Sequence, residues 1–441
     1  MSRRNVFLLI SIITVIAIMA IGFAYLYQSK NQQDGSGEGT NFFSNFLPFG
    51  NSGTVKPGDT TSPTDISGYI PPGGTEIPDI KLKKVSSFPV AGYGVFVKEV
   101  YRDVPNPDPS ISSLSESGND TEFTAPPTEF VLFLRYVDRV TGNIYQTLVD
   151  KIDERKFSST IIPKVYDASF GNKGESVVMR YLKEDNKTIE TFVGNLPKEY
   201  LGADGGVNEV KGFFLPENII DVGISPDTSK MFYLFNTNDT VAGVVLTLAT
   251  NAKSQVFDSP FTEWLSLWPN EKMITITTKP SASVPGYMYA INPDKKDLNK
   301  ILGGINGLTT LTSPDGKMIL YGNNNLSLNI FNTDTRDSGT LSVKTLPEKC
   351  VWARADVVYC AVPKYIYPGT YPDLWYQGEV SFSDEIWRID VEDRNATMIL
   401  DIMSSPGGEE IDAIKLDMDE NQDYLFFVNK KDSYLWEFKL K

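Results

Sequence analysis

The chain has 441 residues, 41% hydrophobic and 12% aromatic, and a formal charge of −15 from 41 Lys and Arg against 56 Asp and Glu. That length suffices for a large core, while an acidic chain without a basic stripe lacks the footprint that neutralises nucleic-acid phosphates. There is no histidine and there are two cysteines, which excludes Ser-His and Cys-His nucleophile pairs, most zinc sites and any multi-bridge disulfide framework.

Residues 1–5 read as a cytoplasmic stub carrying Arg3 and Arg4, followed at residues 6–27 by 22 residues without a charge. At 1.5 Å per residue this run spans roughly 33 Å, enough for a hydrocarbon layer of about 30 Å. The two arginines predict a single transmembrane helix with its N-terminus in the cytoplasm and the rest of the chain outside. A cleaved signal peptide ending near Ala20 and Gly22 is the rival reading, but the apolar run is long for one. Residues 28–79 are rich in Gly, Ser, Thr, Pro and Asn and read as a disordered linker. As a flexible coil it would span about 40 Å. Four phenylalanines, Phe42, Phe43, Phe46 and Phe49, interrupt it as a sticky patch.

From residue 80 the pattern changes to short β-rich runs between turn signals. The clearest unit is Ser313-Pro314-Asp315-Gly316-Lys317 leading into the apolar run that ends at Tyr321. Proline presets φ, aspartate bonds back to the backbone and glycine takes the positive-φ position. Ser225-Pro226-Asp227 before Met231 repeats it, with weaker copies near Asn172, Asn270, Ala353 and Asp419. Each unit continues through a hairpin to a third strand and then a fourth, giving seven units of about 45 residues once two insertions are set aside. Four strands per 40–50 residues is the signature of propeller blades. The fold class expected is therefore all-β, a seven-bladed β-propeller over residues 80–441. The last blade ends one strand short, and residues 80–88 can supply that strand and so remove an exposed edge.

At the Ser-Pro-Asp turns the sequence resembles the TolB-like, WD-repeat-like propeller superfamily, and its layout is similar to single-span propellers of bacterial envelopes. The resemblance implies protein binding or the propeller half of an enzyme. It assigns no ligand residue, because the shared turn is structural.

Two insertions stand out. Residues 101–127 in blade one are rich in Ser, Pro, Asn and Asp and read as disordered. Residues 364–378 in blade six hold Tyr365, Tyr367, Tyr371, Trp375 and Tyr376 among several prolines. This stiff aromatic loop is the expected ligand-binding surface, suited to sugars or a peptide. The alternative is a lid over the channel; Trp375 would be exposed in the first case and buried in the second. Asp417, Asp419, Asn421 and Asp423 have spacing that can set oxygens around calcium. However, Gln422 replaces the usual glycine, and an acidic solvated turn is the competing reading. Cys350 and Cys360 flank one turn and reach each other only in the right register, forming either a disulfide or buried thiols.

Enzyme motifs fail in turn: there is no nucleophile elbow, phosphate loop or zinc signature. The expectation is a non-enzymatic, membrane-anchored, extracytoplasmic binding or scaffolding module without a cofactor, calcium apart. Its partner would be an envelope protein, peptide or glycan. The rivals are a carboxylate-based polysaccharide hydrolase and a purely structural subunit of a membrane assembly.

Overall fold

The computed structural model describes residues 81–101, 127–149, 151, 153–199, 206–237 and 239–441. The apolar segment 6–27, the linker and most of the blade-one insertion lie outside these residues. Among the described residues no helix is long and apolar enough to cross a membrane.

Seven four-stranded antiparallel sheets make seven blades. Among the described residues the first strand is β1 (Leu82–Lys84), which belongs to the last of them. Blade one then comprises β2 (Val90–Tyr101), β3 (Thr128–Asp138), β4 (Ile144–Leu148) and β5 (Arg155–Lys156). Blade two holds β6 (Val165–Gly171), β7 (Ser176–Leu182), β8 (Ile189–Asn195) and β9 (Lys211–Phe214). Blade three holds β10 (Ile219–Ile224), β11 (Lys230–Asn236), β12 (Val241–Thr247) and β13 (Lys253–Ser259). In blade four they are β14 (Trp264–Asn270), β15 (Met273–Thr278), β16 (Pro285–Ile291) and β17 (Leu298–Asn306). Blade five has β18 (Thr309–Thr312), β19 (Met318–Gly322), β20 (Ser327–Asn332) and β21 (Ser338–Lys344). Blade six has β22 (Cys350–Trp352), β23 (Val357–Pro363), β24 (Asp384–Asp390) and β25 (Asn395–Asp401). Blade seven is β26 (Ala413–Met418), β27 (Tyr424–Asn429) and β28 (Leu435–Lys439), completed by β1.

The two best turns have the same wiring. In each, the serine hydroxyl donates to the aspartate two residues on, 2.6 Å in both, and accepts the backbone N–H five residues on, 2.9 Å in both. Proline between them leaves no competing donor, so a local sequence dictates where β10 ends and β11 begins, and likewise for β18 and β19. Gly316 takes the left-handed position at φ 76°, and Thr228 is forced into it at φ 59° in the sister turn. Its hydroxyl there accepts the backbone N–H of Lys173 in blade two, 2.7 Å.

Alternation along the strands buries one row of side chains against each neighbouring blade. Accordingly, among the described residues, seven apolar clusters fill the blade interfaces, one to each. Trp264 and Trp268 fill the cluster between blades three and four. Ring closure buries Leu82 of β1 with Trp436 and Phe438 of β28, in register as Leu82 opposite Phe438 and Lys84 opposite Trp436. Polar ties link the inner strands as well. Lys415 of blade seven donates to Ala91 O of blade one and to Asp167 of blade two, while Arg180 of blade two donates to Ile219 O and Ile220 O of blade three.

If β1 is what closes the ring, Leu82→Ala, at a site only 3% exposed, should cost about 2–5 kcal/mol of stability. Val97→Ala on the exposed part of β2 should change it by less than about 0.5 kcal/mol. Denaturant unfolding of both variants checks this, and equal small effects would show that closure does not depend on β1.

Candidate functional site

Loops joining the second to the third strand of a blade, and each blade to the next, gather at one end of the propeller. The blade-six insertion, residues 364–383 between β23 and β24, lies there. It contains one helical turn, α1 (Asp373–Tyr376). Asp373 accepts the Ala282 N–H from the blade-four loop at 3.1 Å, and Asn324 of blade five donates to Ala282 O. The insertion is thereby tied to the blade-four loop, which blade five holds in turn.

Its aromatics divide sharply. Tyr371 and Trp375 are buried at 4% and 5% exposure and pack with Phe382, Leu326 and Leu346 in an eighth apolar cluster. Tyr365 and Tyr367 stand out at 67% and 66%, with Ile366 between them also exposed, and Tyr376 is 40% exposed. Buried Trp375 is the outcome expected of a lid, and the expectation of five aromatics on one binding surface is corrected for Tyr371 and Trp375, which are the foundation of the loop; Tyr365, Tyr367 and Tyr376 stay exposed. The reason is polar as well as apolar. The Trp375 indole N–H donates to Asp412 at 3.0 Å, and the Lys430 ammonium lies 4.6 Å from the ring centroid while donating to Trp375 O. These partners reward burial of the ring and leave the Tyr365 end of the loop to solvent.

Beneath Trp375 sits a triad that sequence reading did not single out. Lys349 closes a one-turn helix before β22, Asp384 opens β24 and Asp412 directly precedes β26. All three side chains have no exposed surface. The Lys349 ammonium donates to Asp384 at 2.7 Å, to Asp412 and to Ala413 O at 3.0 Å. Asp412 also accepts from Ser381 and from the Phe382 N–H, each at 3.0 Å. Those donors and Lys349 hold Asp412 below the ordinary carboxylate range despite its burial. Asp384 has fewer donors, so burial, reinforced by the adjacent Asp412, pushes it up to about 6 against the pull of Lys349. The only sequence signal was a charged residue at the entrance to each of three strands.

At the channel mouth, Tyr376 donates its hydroxyl to the Glu348 carboxylate. Desolvation pushes Glu348 up to about 7, with Asp221 of β10 close enough to add repulsion. Burial likewise raises Asp221, which accepts from the Ser266 hydroxyl at 3.0 Å. Two carboxylates in the funnel are the feature a glycoside hydrolase would need. However, the cavity between Glu348 and the hydroxyls of Ser266, Thr275, Thr277, Thr309 and Thr310 is about 40 Å³. That volume holds a few waters and is too small for a sugar ring.

The candidate calcium loop is wired as a turn. Asp419 accepts the backbone N–H groups of Asn421, Asp423 and Tyr424 at 2.7–3.1 Å, Asp417 accepts that of Met418, and Asp423 pairs with Lys441 at 2.9 Å. Gln422 takes the left-handed position at φ 57°. Among the described residues no group of three or more Asp, Glu or Cys side chains is placed to hold a metal. The calcium reading of Asp417, Asp419, Asn421 and Asp423 is corrected accordingly: the oxygens are spent on the turn. Cys350 and Cys360 stand opposite each other on β22 and β23 and are disulfide-bonded, S–S 2.11 Å.

No family model matches the chain and no curated protein does. Among solved structures it is similar to an oligogalacturonate lyase from Vibrio parahaemolyticus at 9% identity and TM-score 0.46, over 70% of this chain and 86% of that one. It is similar to TolB from Acinetobacter baumannii at 13% identity and TM-score 0.38, over 58% and 59%. The tricorn protease is a third, at 10% identity and TM-score 0.44, over 70% of this chain and 32% of that one. The shared feature is propeller architecture, which the seven blades establish on their own.

Trp375→Ala should cost about 3–5 kcal/mol of stability, as for other buried tryptophans, whereas Tyr365→Ala should stay within about 0.5 kcal/mol. Thermal and denaturant melts would separate the two, and a mild effect at Trp375 would remove the foundation role.

Glu348 gives a pH signature. Its folded value lies above the ordinary 4.5, so between about pH 4.5 and 7 the folded protein keeps a proton that the unfolded chain releases, and stability falls as pH rises. Glu348→Gln should therefore match wild type below pH 4.5 and melt a few degrees higher above pH 7. Scanning calorimetry across that window tests it, and a variant that melts lower at pH 8 would contradict the assignment.

Proposed function

We propose that the protein is a non-enzymatic binding module of the cell envelope. Residues 6–27 anchor it in the membrane with the propeller outside, and the blade-six loop engages an envelope protein, peptide or glycan. One observation carries the reading: Tyr365, Ile366 and Tyr367 are consecutive, apolar and exposed, yet they project from a base held by a buried cluster and an ion triad. Single exposed apolar residues are ordinary on any surface. Three in a row on a stiffened loop are not, because a loop ordered in advance loses little entropy on binding and tyrosine offers both a face and a hydroxyl. Exposed Val140, Ile161, Phe261 and Val284 come from loops at the same end of the propeller and would extend the contact surface.

The extracytoplasmic placement draws support from the Cys350–Cys360 disulfide, a bond that persists in oxidising compartments. The test is affinity capture by the tagged full chain from its native membranes. Tyr365→Ala and Tyr367→Ala should each weaken capture by about 1–3 kcal/mol with the melting temperature unchanged. Undiminished capture by the double variant would move the binding surface elsewhere.

A further inference from the structure

Lys349 is the one lysine among the described residues that is fully buried, and its surroundings go beyond what an ion pair requires. Nζ has two carboxylates in contact, and the walls around it are the Phe382 and Trp375 rings, whose centroids lie 5.5 and 5.6 Å away. Water is excluded from all three side chains. Burying three ionisable groups carries a desolvation cost that their attraction repays only when every remaining polar atom is satisfied. Here one is not: Asp384 Oδ1 has no hydrogen-bond partner, while Oδ2 accepts both Lys349 Nζ and the Ala413 N–H, each at 2.7 Å.

We propose that this triad is a self-modification site at which the Lys349 amine and the Asp384 carboxyl condense into an intramolecular isopeptide bond, with Asp412 as the proton carrier. In the reacting arrangement the lysine is a neutral amine, Asp384 the carboxylic acid and Asp412 the carboxylate. The division follows from their partners, since Asp412 has three further donors to stabilise its charge and Asp384 has one. The Nζ lone pair attacks Asp384 Cγ, one bond beyond the oxygen it already contacts, and the carbonyl electron pair moves onto Oδ2, where the Ala413 N–H receives it. Asp412 takes one proton from the amine and passes it to the Oδ1 hydroxyl, which leaves as water. The carbonyl re-forms, an Nζ–Cγ amide remains, and Asp412 returns to its starting state. No oxidant, metal or cofactor enters the balance.

The product removes the unsatisfied oxygen and the buried charge pair. The unpartnered oxygen is the one expelled, Oδ2 keeps the Ala413 N–H, and the remaining amide N–H can donate to Ala413 O, now 3.0 Å from Nζ. Taken from the resting ion pair, an ammonium and a carboxylate become one neutral amide and a released water. Fixed contact supplies the rate: well-oriented intramolecular partners reach effective molarities of about 10⁵–10⁸ M. By contrast, Lys98 and Arg155 around Glu199 remain partly open to water, so their ion pairs have no such drive. The bond would permanently join the entrance of β22 to the start of β24, at the root of the blade-six loop.

The test is the denatured, disulfide-reduced full chain. Its intact mass should fall below the sequence mass by one water, and trypsin should fail to cleave after Lys349 and release a branched peptide joining Lys349 to Asp384. Lys349→Arg should restore the full mass. Asp412→Asn keeps the shape but cannot carry the proton, and should lower the cross-linked fraction at least tenfold. Wild-type protein of full mass, cleaved normally at Lys349, overturns the proposal whether or not any variant folds. A branch at Asp412 instead of Asp384 overturns the assigned roles.

Discussion

A lysine charge with no access to water must be matched inside the protein, and the surroundings of Lys349 are built around that requirement. The matching carboxylates come from Asp384 and Asp412, 35 and 63 residues away in sequence. Satisfying one ammonium therefore fixes the start of β24 and the approach to β26 relative to the entrance of β22. Removing the lysine would leave two buried carboxyl groups without a counter-charge, which is far costlier than losing a surface pair. The same Asp412 receives Trp375, Ser381 and Phe382, so the position of the blade-six loop is a consequence of the lysine's burial.

This division of labour separates the two kinds of order in the molecule. Blade-to-blade packing is apolar and repetitive, with one cluster per interface, and β1 extends that packing around the ring. Such packing sets the ring but says little about what any one loop presents. The loop at blade six is ordered by specific polar contacts over a small separate cluster, and so can hold Tyr365 and Tyr367 outward without drawing them into a core. Stiffness below and exposure above are both needed for a low-entropy contact surface.

The central channel shows the opposite economy. Its carboxylates are engaged by neighbours: Asp167 by Lys415 and Arg180, Asp221 by Ser266, Glu348 by Tyr376. The Lys415 and Ser266 contacts join different blades, and beside Glu348 a cavity of about 40 Å³ remains. In three dimensions Asp167 and Asp221 are partners in polar contacts of the inner strands.

Blade number, strand order and closure by β1 were legible in the residues because their causes are local and repeated. A Ser-Pro-Asp turn satisfies its own backbone, as the matched geometry at Ser225 and Ser313 shows, and period-two alternation needs only the next strand. The pairing of Cys350 with Cys360 hung on register alone, and β22 and β23 provide it. What each aromatic of the blade-six loop does was not legible. Trp375 and Tyr365 are equally plausible anchors in one dimension, and the choice between them depends on Asp412, 37 residues beyond Trp375, and on Lys349 below it. The acidic run from Asp417 to Asp423 is similar: its spacing suits a cation, but backbone N–H groups brought close by the turn claim Asp419 first. Local hydrogen bonding and periodicity determined the ring from sequence, whereas burial of charge, which depends on residues distant in the chain, was decided only by the tertiary structure.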